Sequence, residues 1–179
     1  MIVCAGKIET FNFATPVGIG LTDVSINLTK LCMEKKPEFL LFVGSAGSYG
    51  EKHIFEIIES KTACNIENSF LEGHSYTPID NVVSAAQEVS RETLVNCSNY
   101  VTSNSDYAKQ YLEKDIHLEN MEFYAVLKVA EKFGIPAGGV FVVTNFCDEN
   151  AHEDFKKNHK KAMQKLAAYM NEKNKELRV

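Results

Sequence analysis

The spacing of apolar residues changes period several times along the chain, and each change marks an element. In residues 10–20, TFNFATPVGIG, Phe11 and Phe13 alternate with polar neighbours. Pro16, Gly18 and Gly20 then break the run, which predicts a strand ending in a turn. Residues 21–36, LTDVSINLTKLCMEKK, place Val24, Leu28, Leu31 and Cys32 on one stripe, the signature of an amphipathic helix. Pro37 opens EFLLFVG, a buried-strand pattern that runs straight into Gly44, Ser45, Ala46 and Gly47. Strand, glycine turn, helix, strand and glycine turn make a βαβ unit and imply a parallel sheet.

The middle is less regular. HIFEIIES predicts a strand, and CNIENSFLEGHSYTP a polar loop. IDNVVSAAQEVS has helical spacing, NYVTSNS suggests a short strand, and SDYAKQYLEK opens a helix with Ser105 or Asp106 as its cap. MEFYAVLKVAEKFG is a strong helix, with Phe123, Val126, Leu127, Val129 and Ala130 inward and Gly134 at its end. IPAGGVFVVTNFCDENAH is a buried strand leaving into a polar loop. A last long helix carries Phe155, Ala162, Leu166 and Tyr169 or Met170 inward, with its lysines on a solvated face. No linker interrupts residues 1–179. The pattern predicts one α/β domain, a mixed central sheet flanked by helices.

Composition narrows the classes. The chain has 179 residues, 45% hydrophobic and 24% charged, enough for one proper core. A formal net charge of −5 argues against a nucleic-acid partner. No apolar run approaches the ~18 residues of a membrane span, and the first residues lack the pattern of a signal peptide. Five scattered cysteines, Cys4, Cys32, Cys64, Cys97 and Cys147, fit neither a disulfide framework nor a metal site. They read as reduced thiols of a cytoplasmic protein. Only two arginines occur, Arg91 and Arg178.

Three small or polar clusters fall at the carboxyl ends of predicted strands, where open α/β sheets hold ligands: Gly18 to Gly20, Gly44 to Gly47, and Thr144 to Asp148. None is a dinucleotide fingerprint or a phosphate-binding Walker loop, so no nucleotide cofactor is indicated.

The ordered set says more than each cluster. GIG at 18–20 with its following helix, PEFLLFVGSAG, NMEFYAV at 120–126, and GIPAGGVFVVTNFCDENAH resemble the nucleoside phosphorylase and nucleosidase family. That family includes purine nucleoside phosphorylase and methylthioadenosine/S-adenosylhomocysteine nucleosidase. The likeness spans most of residues 13–165 and implies a phosphorylase/hydrolase-like fold. It also implies cleavage of the bond between C1' of a ribose and N9 of a purine, with no cofactor and with phosphate as a conceivable co-substrate. A purine nucleoside would be the small-molecule partner and a homo-oligomer, at least a dimer, the assembly.

The resemblance implies roles for single residues. Glu122 matches the carboxylate that accepts hydrogen bonds from ribose hydroxyls, a suitable acceptor for two O–H donors. Alone, it reads more readily as a helix N-terminal charge favoured by the dipole. Met121 matches a residue packed on the sugar, and Gly20, Ser45, Ala46 and Gly47 match backbone lying close to the substrate. Tyr107 is a candidate for stacking on the base, or an ordinary aromatic.

Two departures stand out. Where adenine-acting members carry an aspartate, this chain has Asn145, whose amide does not titrate. It resembles the asparagine of phosphorylases acting on 6-oxopurines. Asp148 either substitutes as the acid or is a solvated loop charge. Where phosphorylases carry a phosphate-binding arginine, Phe42 stands, and neither Arg91 nor Arg178 is placed to help. That favours water as the nucleophile. Hydrolysis uses a glutamate near the family's N-terminus, and Glu9 matches it only in a gapped alignment. The alignment preferred here matches residues 5–20 to the family's second hairpin, leaving a shortened N-terminus without the first strand. The expected function is a purine nucleoside phosphorylase or nucleosidase acting on 6-oxopurines; a non-catalytic purine-binding relative is the alternative.

Overall fold

Strand β3 (Leu40–Ser48) organises the molecule. The computed structural model describes residues 1–86 and 93–176. β3 lies parallel to β9 (Ala137–Phe146) along its whole length, from Leu40 beside Ala137 to Ser48 beside Phe146. On its other side its first half meets β1 (Ile2–Cys4) in parallel. Its last two residues meet β8 (Ile116–Asn120) antiparallel. Outward from these run β2 (Thr15–Pro16) beyond β1, then β7 (Leu94–Cys97), β5 (Thr62–Cys64) and β6 (Val82–Ser84) beyond β8. β4 (Ile57–Ser60) closes the far edge against β9. The sheet is mixed, as the sequence implies.

Neighbouring residues of β3 and β9 are buried alike, because helices cover both faces. On one face Val24 and Leu28 of α1 (Gly20–Lys35) pack with Phe123, Val126 and Leu127 of α4 (Phe123–Phe133) over Phe42 and Phe141. Phe123 meets Phe141 edge-on at 5.1 Å, a favoured aromatic arrangement. On the other face Ala162, Leu166 and Met170 of α5 (Ala151–Glu176) cover Val43, Val140 and Val142. A smaller cluster joins Tyr49 and Cys147 to Ala108 and Tyr111 of α3 (Ser105–Leu112), beside the single-turn α2 (Asn68–Leu71). Among the described residues no helix is long and apolar enough to cross a membrane.

Several local expectations need correction. Phe11 and Phe13 do not lie in a strand. They stack on each other at 5.2 Å in a turn, where Ala14 N–H donates to the Phe11 carbonyl. The chain does begin with a strand, β1, in place of the missing first strand that the hairpin alignment implies. Residues 82–84 form β6, because Thr62, Ala63 and Cys64 offer an open strand edge to pair with. Residues 79–81 and 85–86 of that predicted helix are not helical either, and residues 87–90, like Arg91 and Arg178, lie outside the described residues. The strand expected in NYVTSNS sits a few residues earlier, as β7, and residues 98–104 form an irregular loop. The cap of α3 is Asn104, whose side chain accepts from the N–H groups of Asp106 and Tyr107.

Candidate active site

A cavity of about 250 Å³ opens where β1, β3, β8 and β9 end. Three short segments shape it, each fixed by local chemistry.

The first follows β1. Gly6 and Glu9 exchange backbone hydrogen bonds at 3.1 and 3.0 Å, a tight reversal in which Gly6 has φ 97°. The reversal turns Glu9 inward, where it is 9% exposed. Its carboxylate accepts the Ser45 N–H at 3.1 Å and the Ser45 hydroxyl in a very short contact. Gly44 makes this approach possible. A Cβ there would sit 2.9 Å from the Glu9 carboxylate and 2.9 Å from the Phe42 ring.

The second is the junction of β8 and α4. The Asn120 side-chain oxygen Oδ1 accepts the N–H groups of Glu122 and Phe123 at 2.7 and 2.8 Å, satisfying two free donors of the α4 N-terminus. Its amide donates to the Ser45 carbonyl at 3.0 Å, so one side chain binds the helix start to the β3 turn. Glu122, at the cap position, turns its carboxylate back to the Gly20 N–H at 3.0 Å and to its neighbour's N–H, that of Met121, at 3.2 Å. Burial pushes its pKa up to about 7; the Gly20 N–H opposes the rise, and the Glu9 charge adds to it.

The third is the end of β9. The Asn145 amide donates to the Phe146 carbonyl at 2.9 Å, and its oxygen accepts the Thr144 hydroxyl at 2.8 Å. One N–H and one lone pair stay available.

Of the predicted site residues, Ser45, Ala46, Gly47, Met121, Glu122 and Asn145 line this cavity together, with Glu9. Gly20 serves it indirectly, as the donor that holds Glu122. Two candidates lie elsewhere. Tyr107 sits on α3 with its hydroxyl on Glu72, outside the cavity lining. Asp148 lies in the turn before α5, its carboxylate accepting the Asn150 N–H at 2.8 Å and its carbonyl the Ala151 N–H at 3.0 Å. It is bound up in the helix start and does not face the cavity.

Sequence reasoning passed over Glu119, Val101, His152 and Phe155, which also line it. Glu119 adjoins the NMEF motif and was the one most open to notice. The others lack any local signature. Three carboxylates, Glu9, Glu119 and Glu122, therefore face one cavity, and no lysine or arginine is among its described lining residues.

A mixed sheet with this strand order, carrying a carboxylate-lined cavity beyond its strand ends, defines a single α/β domain with a ligand-sized site. The sequence matches the phosphorylase superfamily over residues 2–172, and the chain belongs to that family. Its fold is similar to that of an aspartate-to-asparagine variant of Helicobacter pylori MTAN, solved with 5'-methylthioadenosine in the active site. The TM-score is 0.81 at 14% identity, covering 98% of this chain and 97% of that one. Helicobacter pylori futalosine hydrolase is similar at a TM-score of 0.79 and 15% identity, covering 95% of each chain. The 5'-methylthioadenosine/S-adenosylhomocysteine nucleosidase of S. pneumoniae, bound to a transition-state inhibitor, gives 0.75 at 11% identity, covering 94% and 95%. No curated protein matches the sequence.

Proposed function

We propose that this chain hydrolyses the N-glycosidic bond of purine nucleosides, with water rather than phosphate as the nucleophile and 6-oxopurines as the preferred bases. The observation that carries the reading is the Glu9 carboxylate, held in the cavity by Ser45 and sharing it with Glu122. A carboxylate so held is a general base for water. Three acidic side chains, with no lysine or arginine among the described lining residues, offer a phosphate dianion no cationic partner. Glu122 also occupies the N–H of Gly20 at the start of α1, a position where an anion would otherwise find a donor.

In the proposed reaction Glu122 holds the ribose hydroxyls while the C1'–N9 bond breaks and its electron pair passes to the purine. Water adds to C1' and gives its proton to Glu9. The leaving purine takes a proton at N7 from a second water. The hydroxide so formed takes back the proton held by Glu9, which regenerates water and the carboxylate. The Asn145 oxygen accepts the resulting N7–H while its amide donates to O6. The preference for 6-oxopurines follows, because the 6-amino group of adenine would meet another donor.

A catalytically silent purine binder is the competing reading. It is favoured by Phe42, which stands where phosphorylases carry a phosphate-binding arginine, and opposed by the intact Glu122 and Asn145. Incubation of the pure protein with inosine, guanosine and methylthioadenosine, with and without phosphate, tests both. Release of hypoxanthine from inosine at the same rate in either buffer is expected. Release only with phosphate would overturn hydrolysis, and binding without release would establish the silent reading.

A further inference from the structure

Helix α1 starts without a cap of its own. Its cap position is Ile19, in extended backbone, and an isoleucine side chain has no acceptor for the free N–H groups of the first turn. Two acceptors reach those groups from far along the chain. Glu122 Oε1 takes the Gly20 N–H at 3.0 Å, and Asn99 Oδ1 takes the next one, that of Leu21, also at 3.0 Å. Gly20 lets both approach. Its φ is 80°, which favours glycine, and a Cβ there would sit 2.8 Å from Asn99 Oδ1. Asn99 belongs to the loop after β7, and that loop leads back to Glu122. The Ser98 N–H donates to the Asn120 carbonyl at 3.3 Å, and Asn120 Oδ1 accepts the Glu122 N–H at 2.7 Å. These bonds close a ring that runs from the Glu122 backbone through Asn120, Ser98, Asn99, Leu21 and Gly20 to the Glu122 carboxylate.

We propose that Asn99 is a positioning residue for the glycosidic cleavage, holding the start of α1 so that the Gly20 N–H fixes the Glu122 carboxylate against the ribose hydroxyls. This rests on the proposed purine-cleaving function, in which Glu122 holds those hydroxyls. Asn99 is exposed and outside the cavity lining, so it acts through α1. Its side chain is the link of the ring that a substitution can open without altering a cavity-lining group. Cut there, the Leu21 N–H turns to water, while α1 keeps Val24 and Leu28 packed in the core. What is lost is the angle at which Gly20 meets Glu122, and a small misplacement of a positioning group is enough to lower a rate. The same N–H opposes the rise of the Glu122 pKa, which burial pushes up to about 7. The titratable groups beside Glu122 are Glu9, from the reversal after β1, and the Cys97 thiol of β7. Glu9 is bonded to Ser45 and Cys97 to the Tyr124 N–H, so removing the Asn99 amide leaves both in place.

Two measurements on the native protein, Asn99→Ala and Asn99→Asp test this. The first is the titration of Glu122 followed by carboxyl-carbon NMR, which needs no substrate. The midpoint should move to higher pH in Asn99→Ala, because the loosened Gly20 N–H no longer favours the charged form. The second is inosine hydrolysis at about pH 8.5, above that midpoint, so that ionisation does not enter. Asn99→Ala should lower kcat about tenfold, with KM changed by less than about twofold. Asn99→Asp keeps an acceptor oxygen in the same place and should return kcat to near the native value. A side chain that merely stabilised the fold would lower Tm in Asn99→Ala and leave kcat and the Glu122 midpoint where they are; that result overturns the proposal. Equal loss of kcat in both variants also overturns it, since the acceptor would then be irrelevant. If the native protein does not cleave inosine, the purine-cleaving reading falls, and the Glu122 midpoint still decides whether Asn99 positions that carboxylate.

Discussion

Glu9 reaches the cavity because Gly44 has no side chain to exclude it. If Glu9 activates water, Glu9→Gln should lower turnover of inosine by about a hundredfold or more. The circular dichroism spectrum should stay native, because a glutamine oxygen can still accept from Ser45. Unchanged turnover would put the base elsewhere. Glu122 makes a second, pH-dependent case. A free glutamate has a pKa of 4.5, and this one is raised to about 7. The folded chain therefore holds a proton between those values that the unfolded chain has lost. The stabilisation is full below pH ~4.5 and is lost as pH rises through ~7, on the order of a few kcal/mol. Thermal melts should accordingly show native Tm falling across that window relative to Glu122→Gln; parallel curves would contradict the buried, proton-holding state. Glu122 and Asn145 were legible in the sequence because both sit in family motifs. Glu9 was not secure, since a short reversal with two competing alignments carries no periodic signal. Tyr107 was misplaced because an aromatic on an amphipathic helix looks the same whether it faces a ligand or a surface carboxylate.

At the level of elements, long periodic segments were readable and short ones were not. α1, α4, α5, β3 and β9 follow from their apolar spacing. β1 spans three residues, too few for any period to register. β8 reads IHLEN, whose polar residues argue against a strand. Yet Glu119 and Asn120 are buried there because their partners are Thr102, Tyr49, Ser45 and the α4 start. The bonds that justify this strand are tertiary and leave no mark on local sequence. Asn120→Ala tests how much they contribute. It removes a helix cap and a tie between β8 and β3, each worth about 1 kcal/mol. A loss of about 2 kcal/mol in urea unfolding is expected, with weaker substrate binding because Glu122 loses its seat. A loss near zero would mean that water replaces the amide without cost.

Across the whole molecule, β3 finds its longest partner far away in sequence: Leu40 pairs with Ala137, and Ser48 with Phe146. A growing chain emerges from the ribosome one end first. At typical synthesis rates of about 5–20 residues per second, β3 is made on the order of ten seconds before β9 exists. Through that interval its apolar run LLFV has neither β9 beside it nor α5 over it. Topologies dominated by such distant pairings fold slowly. Nascent chains stalled before residue 137 should therefore be cut readily within residues 40–48 by added protease, whereas chains released after α5 should resist. Equal resistance in the two would mean that the amino-terminal half protects itself, and that the central strand can wait for its neighbour in an already closed form.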